Sequence, residues 1–96
     1  MIRVAYYPGM DQLKIVGANI DLTLNLEACY PAPKNWMKKL DKILDFIMLD
    51  GAELEYFYEA IVEHCTSRAQ AARDHGNTRL VLKYKQNIEY YKLKLQ

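Results

Sequence analysis

The stretch Ile20-Asp21-Leu22-Thr23-Leu24-Asn25-Leu26 decides the fold. Four aliphatic side chains alternate strictly with three polar ones. Successive side chains of a strand point to opposite faces, so this segment reads as a strand with one face on a core and the other in water. The alternation continues backwards along the chain. Leu13 and Ile15 alternate with Lys14 and Val16, and Ile2, Val4 and Tyr6 with Arg3, Ala5 and Tyr7. Pro8-Gly9 marks a turn between the first two runs. Gly17-Ala18 is expected as a two-residue turn with Gly at its first central position. Residues 1–28 are therefore expected to form a three-stranded antiparallel β-meander. The alternative makes residues 11–17 a short helix started by Asp11.

Forward from the same stretch, Pro31-Ala32-Pro33 ends the sheet and opens the first helix. Residues 34–49 place Trp36, Met37, Leu40, Ile43, Leu44, Ile47 and Met48 on one broad face, with Phe46 and Leu49 outside it. Asp50-Gly51-Ala52-Glu53 has the form of a capping box, in which Asp50 accepts from the first turn and Glu53 reaches back. A second helix is expected over 51–74, with a stripe of Leu54, Phe57, Tyr58, Ile61, Cys65, Ala69 and Ala72. His75-Gly76 ends it, and Asn77 or Thr78 caps a third helix over 78–95. That helix has a seam at Val81, Tyr84, Ile88, Tyr91 and Leu95. The seam spans about two heptads, too few for a coiled coil. The last two helices are expected to form an antiparallel hairpin, with Glu53, Glu55 and Glu59 near Lys92 and Lys94. The class is α+β: a small sheet followed by three helices, in one domain over 1–96.

Composition bounds the function. The chain has 96 residues, 51% hydrophobic and 26% charged, which suits one folded domain and excludes a disordered chain. Net charge is +1, but it is sorted. Residues 1–33 carry −1, 34–50 carry +1, 51–75 carry −3 and 76–96 carry +4. No run approaches the roughly 20 apolar residues that cross a bilayer; Asp45 interrupts the densest, Ile43–Leu49. Met1-Ile2-Arg3-Val4 lacks the apolar region of a signal peptide. A cytoplasmic location without membrane contact is the expectation. Cys29 and Cys65, without a CxxC or a His at ligand spacing, read as two buried free thiols. The scattered methionines, free cysteines and tyrosines argue against an idealised design.

Catalytic chemistry finds little support. His64 adjoins Cys65, but neighbours on a helix diverge by about 100°, so His64 reads as a surface histidine beside a core cysteine. His64, Cys65, Asp74 and His75 are the one metal-like cluster, and their steps are not those of helical ligand pairs. No catalytic residue, metal or cofactor is expected, and the chain reads as no enzyme.

Three binding readings remain. Surplus apolar side chains lie off the main stripes: Phe46, Leu49, Tyr56, Val62, Leu82 and Leu93. They suit a protein interface. The first expectation is a small non-enzymatic protein–protein interaction module that self-associates as a homo-oligomer, with Tyr56, Leu82, Lys85, Tyr90 and Leu93 as contacts. Compact chains without a catalytic constellation are common among phage and mobile-element proteins, including inhibitors of host complexes; that origin is a base-rate expectation which no residue carries. The second reading is nucleic-acid binding by the third helix through Arg79, Lys83, Lys85, Lys92 and Lys94, with Tyr90 as the free ring. The third is an anionic ligand or nucleotide at the turn between the last two helices, near Ser67, Arg68, Arg73, His75, Asn77, Thr78 and Arg79.

Overall fold

In this computed structural model, which describes residues 2–96, the alternating segments form one antiparallel sheet. The strands β1 (Arg3–Tyr7), β2 (Gln12–Gly17) and β3 (Ile20–Asn25) lie in the order β1-β2-β3. The register sets Val4 against Ile15 and Tyr6 against Leu13, then Ile15 against Leu22 and Leu13 against Leu24. Directly opposed residues share a face, so these side chains make one apolar surface. Leu13 and Ile15, on the middle strand, are wholly buried. The residue-by-residue pairing of β2 with both neighbours excludes a helix over 11–17.

A single 3-10 turn, Pro8–Met10, links β1 to β2. The second turn is Ala18-Asn19, one residue later than expected, because Gly17 still pairs with Ile20. Gly17 serves a different purpose: a Cβ there would sit 3.0 Å from Cγ1 of Ile2, so its bareness lets the chain's start lie close.

The sheet also stops earlier than expected. Leu26 does not extend β3 but begins α1 (Leu26–Cys29), a single turn, and is fully buried there. Its N–H donates to the Asp11 carbonyl at 2.7 Å, which continues the β2–β3 register by one rung and ties the end of β3 to the β1–β2 connection.

The helices follow as α2 (Lys34–Ile47), α3 (Gly51–Asp74) and α4 (Thr78–Lys94). Helix α2 ends two residues short of the expected 49, since Met48 turns left-handed with φ 60°. Leu95 is the C-cap of α4, not its last helical residue. Asp50 Oδ1 accepts the Glu53 N–H at 2.8 Å and starts α3. Gly76, at φ 71°, stops it, with the Gly76 and Asn77 amides donating to the Arg73 and Ala72 carbonyls. Asn77 caps α4 through the Leu80 N–H at 3.1 Å.

Helices α3 and α4 pack against each other as the expected antiparallel hairpin. Phe57, Ile61 and Cys65 of α3, Met37, Leu40 and Leu44 of α2, and Tyr84 and Tyr91 of α4 meet the sheet's apolar face in one core. No helix among the described residues is long and apolar enough to cross a membrane.

Candidate interaction surface

Helix α3 is joined to one side of the sheet by a line of polar contacts. Glu53 Oε2 accepts the Val4 N–H at 2.8 Å, and the Tyr56 hydroxyl accepts the Tyr6 N–H at 3.3 Å. Further along α3, His64 Nδ1 lies 3.2 Å from Asp11 Oδ1. Arg68 donates to Asp11 Oδ2 at 3.0 Å and to Glu27 Oε1 at 2.6 Å. The capping box is therefore only half formed: Asp50 caps, while Glu53 turns to β1 rather than back to Asp50.

His64 is a core residue, not a surface one; only 2% of it is exposed. The Asp11 carboxylate can only accept, so Nδ1–H donates to it, and Nε2 is left as a buried atom without a partner. Burial pushes the His64 pKa below its ordinary value, and the Arg68 cation adds to this against the opposing pull of Asp11.

The acidic and basic ends of the hairpin do not pair with each other. Lys94 Nζ lies 3.3 Å from Asp41 of α2, and no ion pair joins Glu53, Glu55 or Glu59 to Lys92 or Lys94 among the described residues. Asp41 also accepts from the Tyr58 and Tyr90 hydroxyls, so one carboxylate ties α2 to both hairpin helices. Tyr90 is therefore not a free ring. It is held by Asp41, stacked edge-on to Tyr91 at 5.1 Å, and covered by Lys94 at 5.4 Å. Burial and the Asp41 carboxylate push its phenol up to about 12. Asn87, unremarked in the sequence, is 1% exposed. Its side chain clamps Ala32, accepting the N–H at 2.7 Å and donating to the C=O at 2.9 Å, which pins the proline-flanked connection to α4.

The residues considered for chemistry are dispersed. Cys65 is fully buried and burial pushes its thiol up to about 12, so it is no thiolate nucleophile. Cys29 is half-buried rather than buried. No group of three or more His, Cys, Asp or Glu among the described residues is placed to hold a metal. At the expected anion site, Arg68 is engaged by two carboxylates, Arg73 donates to Gln70, and Asn77 is spent on its cap. Thr78 and Arg79 are exposed at the start of α4. Along α4, Lys83 lies beside Pro31, Pro33 and Met37. Lys85 and Lys92 line a shallow groove with Arg73, Glu89 and Ile88.

Of the surplus apolar residues, Leu49 and Val62 pack against the core. The others stay exposed. Leu82 and Leu93 are 56% and 67% exposed. Eleven residues apart, they fall on one line of α4, with Lys85 and Glu89 between them. Tyr56 lies away from this line, against the edge of β1. The largest exposure is at the end of α2, where Phe46 is 89% and Met48 81% exposed. Ile43, expected on the core face, lies beside Phe46 instead and is itself 47% exposed. The left-handed Met48 causes part of this, because it ends the helix before Met48 can join the buried face. Lys39 and Lys42 flank the pair.

In comparisons with known proteins, no family model matches this chain, and no curated protein or solved structure is significantly similar to it.

Proposed function

We propose that this chain is a small, non-enzymatic protein–protein interaction module that self-associates. The carrying observation is the apolar knob Ile43-Phe46-Met48, with Phe46 almost fully in water. A chain of 96 residues has little core to spare, and leaving a phenylalanine outside costs the burial of a large apolar side chain, about 2 kcal/mol. Such surface is typical of sites that meet another protein. The line Leu82–Leu93 on α4 is a second, weaker apolar strip. Against an enzyme stand the protonated buried thiol of Cys65 and the histidine whose free nitrogen faces the core.

The test is molar mass by light scattering on a sizing column, at low and high salt, with and without a short mixed oligonucleotide. The expected result is a species heavier than one 11.2 kDa chain, insensitive to salt and to the oligonucleotide. A monomer that gains mass with the oligonucleotide at low salt alone overturns the proposal and makes Arg79, Lys83, Lys85 and Lys92 a phosphate-binding face.

A further inference from the structure

The outer edge of β3 is open. The N–H groups of Val4 and Tyr6 point away from β2, to Glu53 and Tyr56. Along an antiparallel strand, residues alternate in the side to which both backbone groups point. Arg3, Ala5 and Tyr7 therefore bond to Val16, Lys14 and Gln12, which leaves Leu13, Ile15 and Gly17 to bond Leu24, Leu22 and Ile20. Asp21 and Thr23 then point their N–H and C=O groups outward with no partner among the described residues, as does the Asn25 N–H, while the Asn25 carbonyl, at the N-cap of α1, accepts the first bond of that helical turn. Natural edges are blunted by lysines, prolines or bulges. β3 has none of these: its pairing with β2 is unbroken from Ile20 to Asn25, and its one charge is Asp21.

We infer that β3 pairs with β3 of a second copy of this chain, antiparallel about a two-fold axis, joining two three-stranded sheets into one. This rests on the reading of the chain as a self-associating module and gives that reading a surface and a partner. The register follows from charge and from which side chains face each other. Outward-pointing residues must face outward-pointing residues. Setting Asp21 against Asp21 of the second copy opposes like charges. Setting Asp21 against Thr23 of the second copy makes about four backbone hydrogen bonds, two per facing pair. Centring the axis on Thr23 also makes about four, two from Thr23 facing its own copy and one from each Asn25 N–H to Asp21 of the second copy, since the Asn25 carbonyl is held in α1. The Thr23-centred register is favoured because it sets the Asp21 carboxylate beside the Asn25 side-chain amide, which can donate to it, and Leu22 against Leu24. Both leucines are only half-buried within one copy, and the second copy covers them. The same strand serves both partners, as a two-fold interface requires.

Two variants test this by light scattering and cross-linking. The wild type is expected at twice the 11.2 kDa of one chain. Thr23→Pro removes the central outward N–H, a place where an edge strand accommodates proline. Its mass is expected to halve with an unchanged far-ultraviolet circular dichroism spectrum. In a Cys29→Ser background, oxidised Thr23→Cys is expected to form a disulfide-linked dimer, because facing hydrogen-bonded residues hold their Cα atoms about 5.5 Å apart. Asp21→Cys, facing Asn25, is expected not to. If Thr23→Pro does not fold, the two cysteine variants decide alone. A wild type that stays monomeric at every concentration overturns the inference, as does equal cross-linking at both positions. A dimer that survives Thr23→Pro but falls apart with Phe46→Asp and Met48→Asp overturns β3 pairing and leaves the interaction module standing. A monomer that gains mass only with an oligonucleotide overturns both.

Discussion

Along β1, the sheet's outer amides are met by α3: Val4 by the Glu53 carboxylate, Tyr6 by the Tyr56 hydroxyl, and the connection after β1 by His64 and Arg68 through Asp11. Along β3, Asp21 and Thr23 present the same backbone groups and no helix answers them; at Asn25 only the carbonyl is taken, by the first turn of α1. The two edges have similar lengths and both alternate. They differ in what lies beside them. Helix α3 runs along β1, and its polar side chains facing the sheet are spent on that edge. A buried backbone donor needs a partner, while an exposed one can wait for water or another strand. The closed edge therefore belongs to the fold, and the open one is available to a second chain.

The comparison breaks first at Asp11. Asp11 sits in the left-handed region at φ 52° and holds both His64 and Arg68. Asp11→Ala imposes a left-handed alanine, at about 1 kcal/mol, and strands the His64 donor, at about 1–3 kcal/mol. The expected loss is about 3 kcal/mol in urea unfolding. Asp11→Asn, which tolerates the backbone and still accepts from His64, loses less. A loss for Asp11→Ala below about 1 kcal/mol would make the contact decorative.

The same clamp depends on pH, with a definite sign. The His64 pKa is lowered in the folded chain from its ordinary 6.5. The unfolded chain therefore takes up the proton first. Stability from the neutral ring is complete above about pH 6.5 and is lost as pH falls toward the folded value. Protonation would also place an N–H on Nε2, which has no acceptor. The urea midpoint is expected to fall between pH 7.5 and 5, and His64→Asn is expected to flatten that slope. An unchanged slope in the variant would assign the pH effect elsewhere.

Next in size is Glu53. Removing a carboxylate that accepts a partly buried amide costs about 2 kcal/mol, as for hydrogen bonds to charged groups. Glu53→Ala is expected to lower the urea midpoint by that amount, and Glu53→Gln to restore most of it. If Gln and Ala behave alike, the carboxylate acts through the helix N-terminus rather than through β1.

The contrast between edges shows what the sequence could reveal. The meander was legible because leucines two apart allow only a strand, and the hairpin because Asp50, Gly76 and Asn77 are strong terminal signals. The partners of Glu53, Asp41 and Arg68 were not legible. Each lies more than 40 residues from at least one group it meets, and nothing in local spacing says which distant edge a helix will cover. His64 misled for a related reason. Beside Cys65 on a half-polar helix it reads as solvent-facing, and only Asp11, 53 residues away, makes its burial tolerable. Asn87 had a readable signal: it lies one turn after Tyr84 and four residues before Tyr91, on the seam itself. Phe46 was legible as surplus because it falls off the apolar face of α2, whereas Met48, expected on that face, is exposed where the backbone turns left-handed, which no pattern announces.

The smallest expected effect separates hydrogen bonding from mere exposure. Tyr56 is 43% exposed and its bond to Tyr6 is long, 3.3 Å, so Tyr56→Phe is expected to cost only about 0.5 kcal/mol. Stability alone reads so small a change poorly, whereas amide hydrogen exchange reads each N–H separately. In the Thr23→Pro monomer, Val4 and Tyr6 are expected to exchange slowly and Asp21 at nearly the free rate. Adding Tyr56→Phe should speed Tyr6 and leave Val4 slow, because Glu53 still holds it. In concentrated wild type, the Thr23 amide should slow as the dimer fills. Should Val4 exchange as fast as Asp21 in the monomer, the Glu53 contact is not kept in solution. Both edges are then open, and the choice of β3 over β1 as the pairing strand loses its basis.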